Sequence, residues 1–174
     1  MIFQPTAVDG AFVLQPEAVE DERGFFARTF SAAAFAERGL EPAVAECSIA
    51  YNAEARTLRG LHYQRAPHQE AKLVRCTQGA AFDVAVDLRP DSPTHLRWAA
   101  AELTAENRFA FYIPPGCAHG YLTLTTGCEL HYQISAVHSP DAAAGVRWND
   151  VALAIEWPGE PRVISDRDAS YPDL

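Results

Sequence analysis

Strict alternation over residues 82–88 and 128–134 constrains this chain more than any other feature. Phe82, Val84, Val86 and Leu88 alternate with Asp83, Ala85 and Asp87. Cys128, Leu130, Tyr132 and Ile134 alternate with Glu129, His131 and Gln133. A period of two is the pleat of a β-strand, and a helix cannot bury such a pattern on one face. Shorter runs suited to strands occur at 12–15, 25–30, 58–64, 72–76, 96–103, 109–113 and 121–124. Turn residues separate them at short intervals, as in Pro114-Pro115-Gly116 and Thr126-Gly127. Many short strands with such spacing predict an all-β sandwich or barrel, here a jelly roll. Helix is scarce. Ser31 is placed to cap a short helix through Glu37 with Gly39 ending it, and a second short turn follows Ser165.

A length of 174 residues with 48% hydrophobic side chains suits one domain over residues 1–174 with a full core. The net charge is -9 and no basic run occurs, which argues against a nucleic-acid partner. Cys47, Cys76, Cys117 and Cys128 lie far apart without metal-type spacing, so reduced thiols are expected. No signal-peptide pattern and no membrane-spanning apolar segment is visible, so the chain is expected to be cytoplasmic, with no membrane partner.

Basic residues are very unevenly chosen: 13 arginines stand against one lysine, Lys72. On its strand Lys72 shares a face with Val74 and Cys76, which directs it inward. An inward ammonium needs anionic partners, and a lysine snorkelling to the surface is the alternative. Tyr132 shares its face with Cys128, Leu130 and Ile134, so it also points inward, either as packing or as a reactive hydroxyl. Simple alternation sets Arg59 and His62 on opposite faces, but Gly60 between them is suited to a bulge that brings both to one side. His62 and His119 without a nearby acid or an HxH pair make a poor metal site, so no metal is expected. His119 follows the rigid Pro114-Pro115-Gly116 turn, where it either binds an anionic group or stabilises the turn.

Several segments together resemble the dTDP-4-dehydrorhamnose 3,5-epimerases and their deoxysugar epimerase relatives. They are Asp21-Glu22-Arg23-Gly24-Phe25-Phe26, Thr57-Leu58-Arg59-Gly60-Leu61-His62-Tyr63-Gln64, Lys72-Leu73-Val74-Arg75, residues 82–87, Ser92-Pro93-Thr94, Ala105-Glu106-Asn107, residues 113–120, and Trp148-Asn149-Asp150 with Ile155-Glu156-Trp157-Pro158. The resemblance implies a cupin jelly roll (a double-stranded β-helix with a few short helices), usually a homodimer, working without metal or coenzyme. It implies a nucleotide-diphosphate deoxysugar as substrate. It casts His62 as general base, Asp168 as the carboxylate orienting it, Tyr132 as acid on the opposite sugar face, and Lys72 as the cation near the 4-keto oxygen. Arg59 and His119 match diphosphate ligands, and Arg23 and Phe26 match residues reaching the neighbouring subunit's nucleotide. Arg167, beside Asp168, is counted among the substrate-binding residues.

The roles suit the residue types. A 4-keto group acidifies the hydrogens at C3 and C5, because the carbanion delocalises as an enolate. A neutral imidazole removes such a proton near neutral pH. A carboxylate fixes its tautomer, and a fixed cation stabilises the oxyanion. Inversion then needs a donor on the far face. This chain departs from the rhamnose-pathway pattern on the recognition side. Arg28 stands for the usual Glu, Cys47-Ser48-Ile49 for a Gln-x-Asn segment, and His138 for the tyrosine that stacks on thymine. These departures leave open a CDP- or GDP-linked sugar and inversion at C3, C5 or both. A keto-sugar 3,4-isomerase and a non-catalytic carbohydrate-binding cupin are the competing readings.

Overall fold

The structure is a computed structural model describing residues 1–174. Thirteen strands and two short helices follow in chain order: β1 Ile2–Pro5, β2 Phe12–Gln15, β3 Ala18–Asp21, β4 Gly24–Ala27, α1 Ala32–Ala36, β5 Glu46–Asn52, β6 Leu58–Gln64, β7 Lys72–Gln78, β8 Ala80–Asp87, β9 Trp98–Thr104, β10 Ala110–Ile113, β11 Cys117–Thr123, β12 Cys128–Ile134, β13 Ala143–Gly145 and α2 Asp166–Ala169. Six strands form one sheet in the order β1-β2-β10-β7-β12-β5, and five form a second in the order β13-β6-β11-β8-β9. Every pairing within them is antiparallel, and β3 and β4 make a separate hairpin. This is the expected jelly roll. No helix is long and apolar enough to cross a membrane.

The strand order places apolar layers on both sides of each sheet. Between the sheets, Val74, Cys76, Cys128 and Leu130 meet Ala81, Ala85 and Tyr121. Outside the six-stranded sheet, Leu14, Leu73 and Tyr112 pack under Phe35 of α1. Outside the five-stranded sheet, Leu61, Val84 and Val86 pack under Val146 and Leu153 of the C-terminal segment. Each large side chain buried this way contributes roughly 1.5–3 kcal/mol.

Because the outer face of β8 is covered, its alternation runs opposite to the usual surface pattern. Phe82, Val84 and Val86 face out to the C-terminal segment, and the acids Asp83 and Asp87 face into the barrel, fully buried. Asp87 is clasped by Arg89 Nε and Nη2, the Ser92 hydroxyl at 2.5 Å and the Thr94 hydroxyl at 2.6 Å. Burial alone would raise its pKa, but these hydrogen bonds hold the carboxyl well below the usual carboxylate range. The Ser92-Pro93-Thr94 segment is therefore a structural clasp.

Local predictions hold in detail at the helices. Ser31 Oγ accepts from Ala34 N at 3.4 Å, and Ser165 Oγ accepts from Asp168 N at 3.1 Å. All four cysteines are free, with only Cys47 exposed. Four strands escape the sequence reading: β1, β3, β5 and β13. The longest, β5, is an edge strand whose residues are mostly exposed, so no buried face imposes alternation on it. Strand β11 also begins earlier than expected, at Cys117, so His119 lies within it.

Candidate active site

The site begins with a misfit between two strands. His119 of β11 pairs with His62 of β6, and Tyr121 pairs with Arg59. Two steps along β11 thus span three along β6, which is a β-bulge. Directly paired residues share a face, so the bulge sets Arg59, His62, His119 and Tyr121 all toward the barrel interior. Gly60 makes this possible. Its φ is +127°, and a Cβ there would lie 2.5 Å from Gly120 Cα.

The same carboxylate serves the bulge and the histidine. Gly60 N donates to Asp168 Oδ2 at 3.1 Å, and His62 Nε2 lies 2.7 Å from Asp168 Oδ1. Burial would raise the Asp168 pKa, but the bonds from His62, Gly60 and Ser165 outweigh it and lower it. Asp168 is therefore an anion that only accepts. The hydrogen between the two groups is thus carried by His62 Nε2. The Tyr171 ring packs edge-on against the imidazole, with centroids 5.9 Å apart. Gly145, which pairs with His62, leaves that ring its place, since a Cβ there would overlap it.

His62 opens on a cavity of about 210 Å³, whose wall also includes Lys72, His138, Arg167, Glu46 and Glu70. Lys72 points inward, as parity predicts. Its Nζ lies 3.0 Å from Glu70 Oε1 and donates to the His62 carbonyl at 3.2 Å. The ammonium thus has the anionic partner that burial demands.

Tyr132 is half-buried and packs against the core between the sheets, and its ring lies 5.8 Å from that of His119. Burial first, then its neighbours Tyr121 and Asp83, push its hydroxyl pKa well above the ordinary phenol value. Tyr132 is thus a protonated donor at neutral pH. His119 is 5% exposed, and its Nε2 sits 2.5 Å from Asp83 Oδ1. It is already held by a carboxylate, deeper than a turn-borne anion ligand would lie. Arg59 Nε donates to Asn52 Oδ1 at 2.9 Å, while the residue as a whole stays exposed.

Asp168, Tyr132, His119 and Arg59 do not line this cavity, and neither do the remaining expected residues. Arg23 and Phe26 lie on the β3–β4 hairpin, where Phe26 is 73% exposed and Arg23 pairs with Asp21 at 2.5 Å. Arg28 borders a separate groove with Phe26, Phe3 and Arg38. Cys47 and Ile49 pair with Gln133 and His131, so they sit on the face of β5 away from Tyr132. The inward residues of β5 are Glu46, Ser48, Ala50 and Asn52, opposite Ile134, Tyr132, Leu130 and Cys128. Sequence reasoning missed Glu46, Glu70, Asn52 and Asp83. For Glu70 a signal was available, since it stands two residues before Lys72.

The family described as dTDP-4-dehydrorhamnose 3,5-epimerase matches residues 5–174. A dTDP-4-dehydrorhamnose 3,5-epimerase from Methanothermobacter thermautotrophicus is 41% identical over 175 residues, covering 99% of this chain and 94% of that protein. The crystal structure of dTDP-4-dehydrorhamnose 3,5-epimerase from Elizabethkingia anophelis superposes with a TM-score of 0.96 at 34% identity, covering 100% of this chain and 96% of that one. ChmJ, a 3'-monoepimerase from Streptomyces bikiniensis solved in complex with dTDP-quinovose, superposes with a TM-score of 0.88 at 33% identity, over 97% and 86% of the two chains. The chain belongs to the dTDP-4-dehydrorhamnose 3,5-epimerase family and is an isomerase of the epimerase type.

Proposed function

We propose that this enzyme inverts C3 and C5 of dTDP-4-dehydro-6-deoxyglucose, giving dTDP-4-dehydrorhamnose, with His62 as base and Tyr132 as acid. The observation that carries the reading is the His62–Asp168 pair at 2.7 Å, beside a cavity whose wall holds His62 and Lys72. His62 Nδ1 takes the proton α to the ketone, and Asp168 stabilises the imidazolium that results. Lys72 faces the oxygen on which the enolate charge gathers. Tyr132 returns a proton to carbon from the other face. A cavity of 210 Å³ is smaller than the roughly 300–1,000 Å³ that drug-sized ligands fill, which suits a sugar ring with the nucleotide lying outward across Arg59.

Incubation of the dTDP-linked 4-keto-6-deoxyglucose in D2O, followed by proton NMR, tests this. Wild type is expected to incorporate deuterium at C3 and C5 and to yield the inverted sugar, and His62→Ala to do neither. Undiminished incorporation by His62→Ala would sink the assignment of the base. The similarity to a 3'-monoepimerase supports a second reading, inversion at C3 alone; deuterium confined to C3 would select it. Thermal shifts with dTDP, UDP, CDP and GDP test the nucleotide, with dTDP expected to stabilise most.

We further infer a cytoplasmic homodimer. The β3–β4 hairpin stands apart from both sheets and leaves Val19 72% and Phe26 73% exposed, an apolar surface suited to a second copy. Such a contact is what would bring Arg23 and Phe26 to a substrate.

A further inference from the structure

One hydrogen bond does not fix a ring. The bond to Asp168 sets where His62 Nε2 lies, but the plane of the imidazole can still tilt about that point. Taking a proton from one particular C–H requires the rest of the ring to be aimed as well. The tilt therefore needs a second contact.

That contact comes from the same turn of chain. Tyr171 stands three residues beyond Asp168, just past the end of α2. Its ring meets the imidazole at 71°, with centroids 5.9 Å apart, within the favoured range for an edge-to-face pair. Three features hold the Tyr171 ring independently of Asp168. Gly145, paired with His62 across β13, makes room for it, since a Cβ there would overlap Tyr171 Cζ. The segment after β13 pins the backbone. Arg147 Nε donates to the Tyr171 carbonyl at 3.0 Å, Arg147 N to the Pro172 carbonyl at 3.1 Å, and Leu174 N to the buried Asp150 carboxylate at 2.6 Å. The Arg167 guanidinium carbon stands over the ring, 5.7 Å from its centroid and within cation–π reach. The Tyr171 hydroxyl, by contrast, is buried with no hydrogen-bond partner in the chain. The contacts thus serve the ring and not its polar tip.

We propose that Tyr171 is a positioning residue for the base: its ring sets the tilt of the His62 imidazole, while Asp168 holds Nε2. The inference rests on the reading of His62 as base. A packing contact depends on shape, so it persists whether the imidazole is neutral or charged. The ring plane is thereby kept while His62 takes a proton and while it gives that proton up. No bond or proton changes at Tyr171 itself.

The test measures deuterium incorporation from D2O into dTDP-linked 4-keto-6-deoxyglucose, with KM, melting temperature and the NMR signals of the His62 ring protons. Tyr171→Leu is expected to lower the saturated rate about tenfold or more with little change in KM, and to broaden or double the His62 signals. Tyr171→Phe, which keeps the ring and discards the unpartnered hydroxyl, should restore the rate and a single set of signals. A Phe variant as slow as the Leu variant would assign the effect to the hydroxyl and overturn the proposal. A ring that only braced the tail would lower the melting temperature in Tyr171→Leu and leave the rate and the His62 signals unchanged. If that is seen while His62→Ala loses exchange, the positioning role is wrong and the base stands. If His62→Ala exchanges normally, the base assignment is wrong and this inference falls with it. Should Tyr171→Leu fail to fold, Gly145→Ala carries the test, because its methyl group displaces the ring from the β13 side without removing it. A wild-type rate in that variant would overturn the proposal.

Discussion

His62 and His119 pair across adjacent strands, and each meets a carboxylate through Nε2, at 2.7 and 2.5 Å. They differ in their surroundings. The His62 side chain is 41% exposed while its partner Asp168 is 7%, whereas His119 and Asp83 are 6% and 0%. Asp168 uses both oxygens, one on the imidazole and one on the bulge amide. Asp83 has one oxygen without a partner. A pair at the rim can change charge while solvent and substrate compensate it. A sealed pair is locked into the packing, and breaking it strands a charge. Identical side chains therefore meet two settings, a rim suited to the base proposed at His62 and a sealed interior suited to bracing.

The largest expected effects set the two pairs directly against each other. His62→Ala should lower deuterium exchange by about 10²–10⁴-fold, as loss of a general base does, with little change in melting temperature. His119→Ala should cost about 3–5 kcal/mol of stability by denaturant titration, because Asp83 loses its only buried partner. If His119→Ala proves as stable as wild type, the bracing role is wrong. Next, Asp168→Asn should slow exchange by about a hundredfold or more, since an amide can present its NH2 to Nε2 and favour the wrong tautomer. An unaffected rate would show that the rim carboxylate does not orient the base.

Gly60→Ala should follow, costing on the order of 1–3 kcal/mol for its φ of +127° and adding the clash with Gly120. Because the bulge aims both Arg59 and His62, activity should fall along with stability. A stable, active variant would mean that the two strands do not need this approach. A comparable effect, confined to the acid side, is expected at Asp87, a third buried carboxylate with full pairing. Its folded pKa is lowered, so its stabilisation is present above the ordinary carboxylate range and is lost as pH falls through the depressed value. Asp87→Asn should remove that pH-dependent part, about 1.5–3 kcal/mol for a charge-assisted hydrogen bond, and flatten the acid side of the stability curve. An unchanged acid slope would assign the loss to other groups.

The sequence made some of this contrast visible. Parity placed Lys72 and Tyr132 inward, because β7 and β12 lie inside the six-stranded sheet and pack against the core between the sheets. Gly60 signalled the bulge, since only a glycine lets the strand approach Gly120. Asp83 was not legible as a histidine's partner: its alternation with valines fits a solvated face equally well, and only the covering of β8 by Val146 and Leu153 turns it inward. The orientation of Cys47 and Ile49 was not legible either, because an exposed edge strand carries no apolar period to fix its register. The β3–β4 residues Arg23 and Phe26 are matched by motif, and nothing within one chain brings them to the cavity.

The Asp168 carboxylate follows His62 by 106 residues. Strands β6 to β12 can pair and bury their core before α2 exists, so during synthesis the imidazole waits in a nearly finished barrel without its orienting partner. Fraying of the segment after Ile164 would silence the base while the barrel remains intact, so protection of the Gly60 amide against hydrogen exchange should report on activity more closely than global stability does.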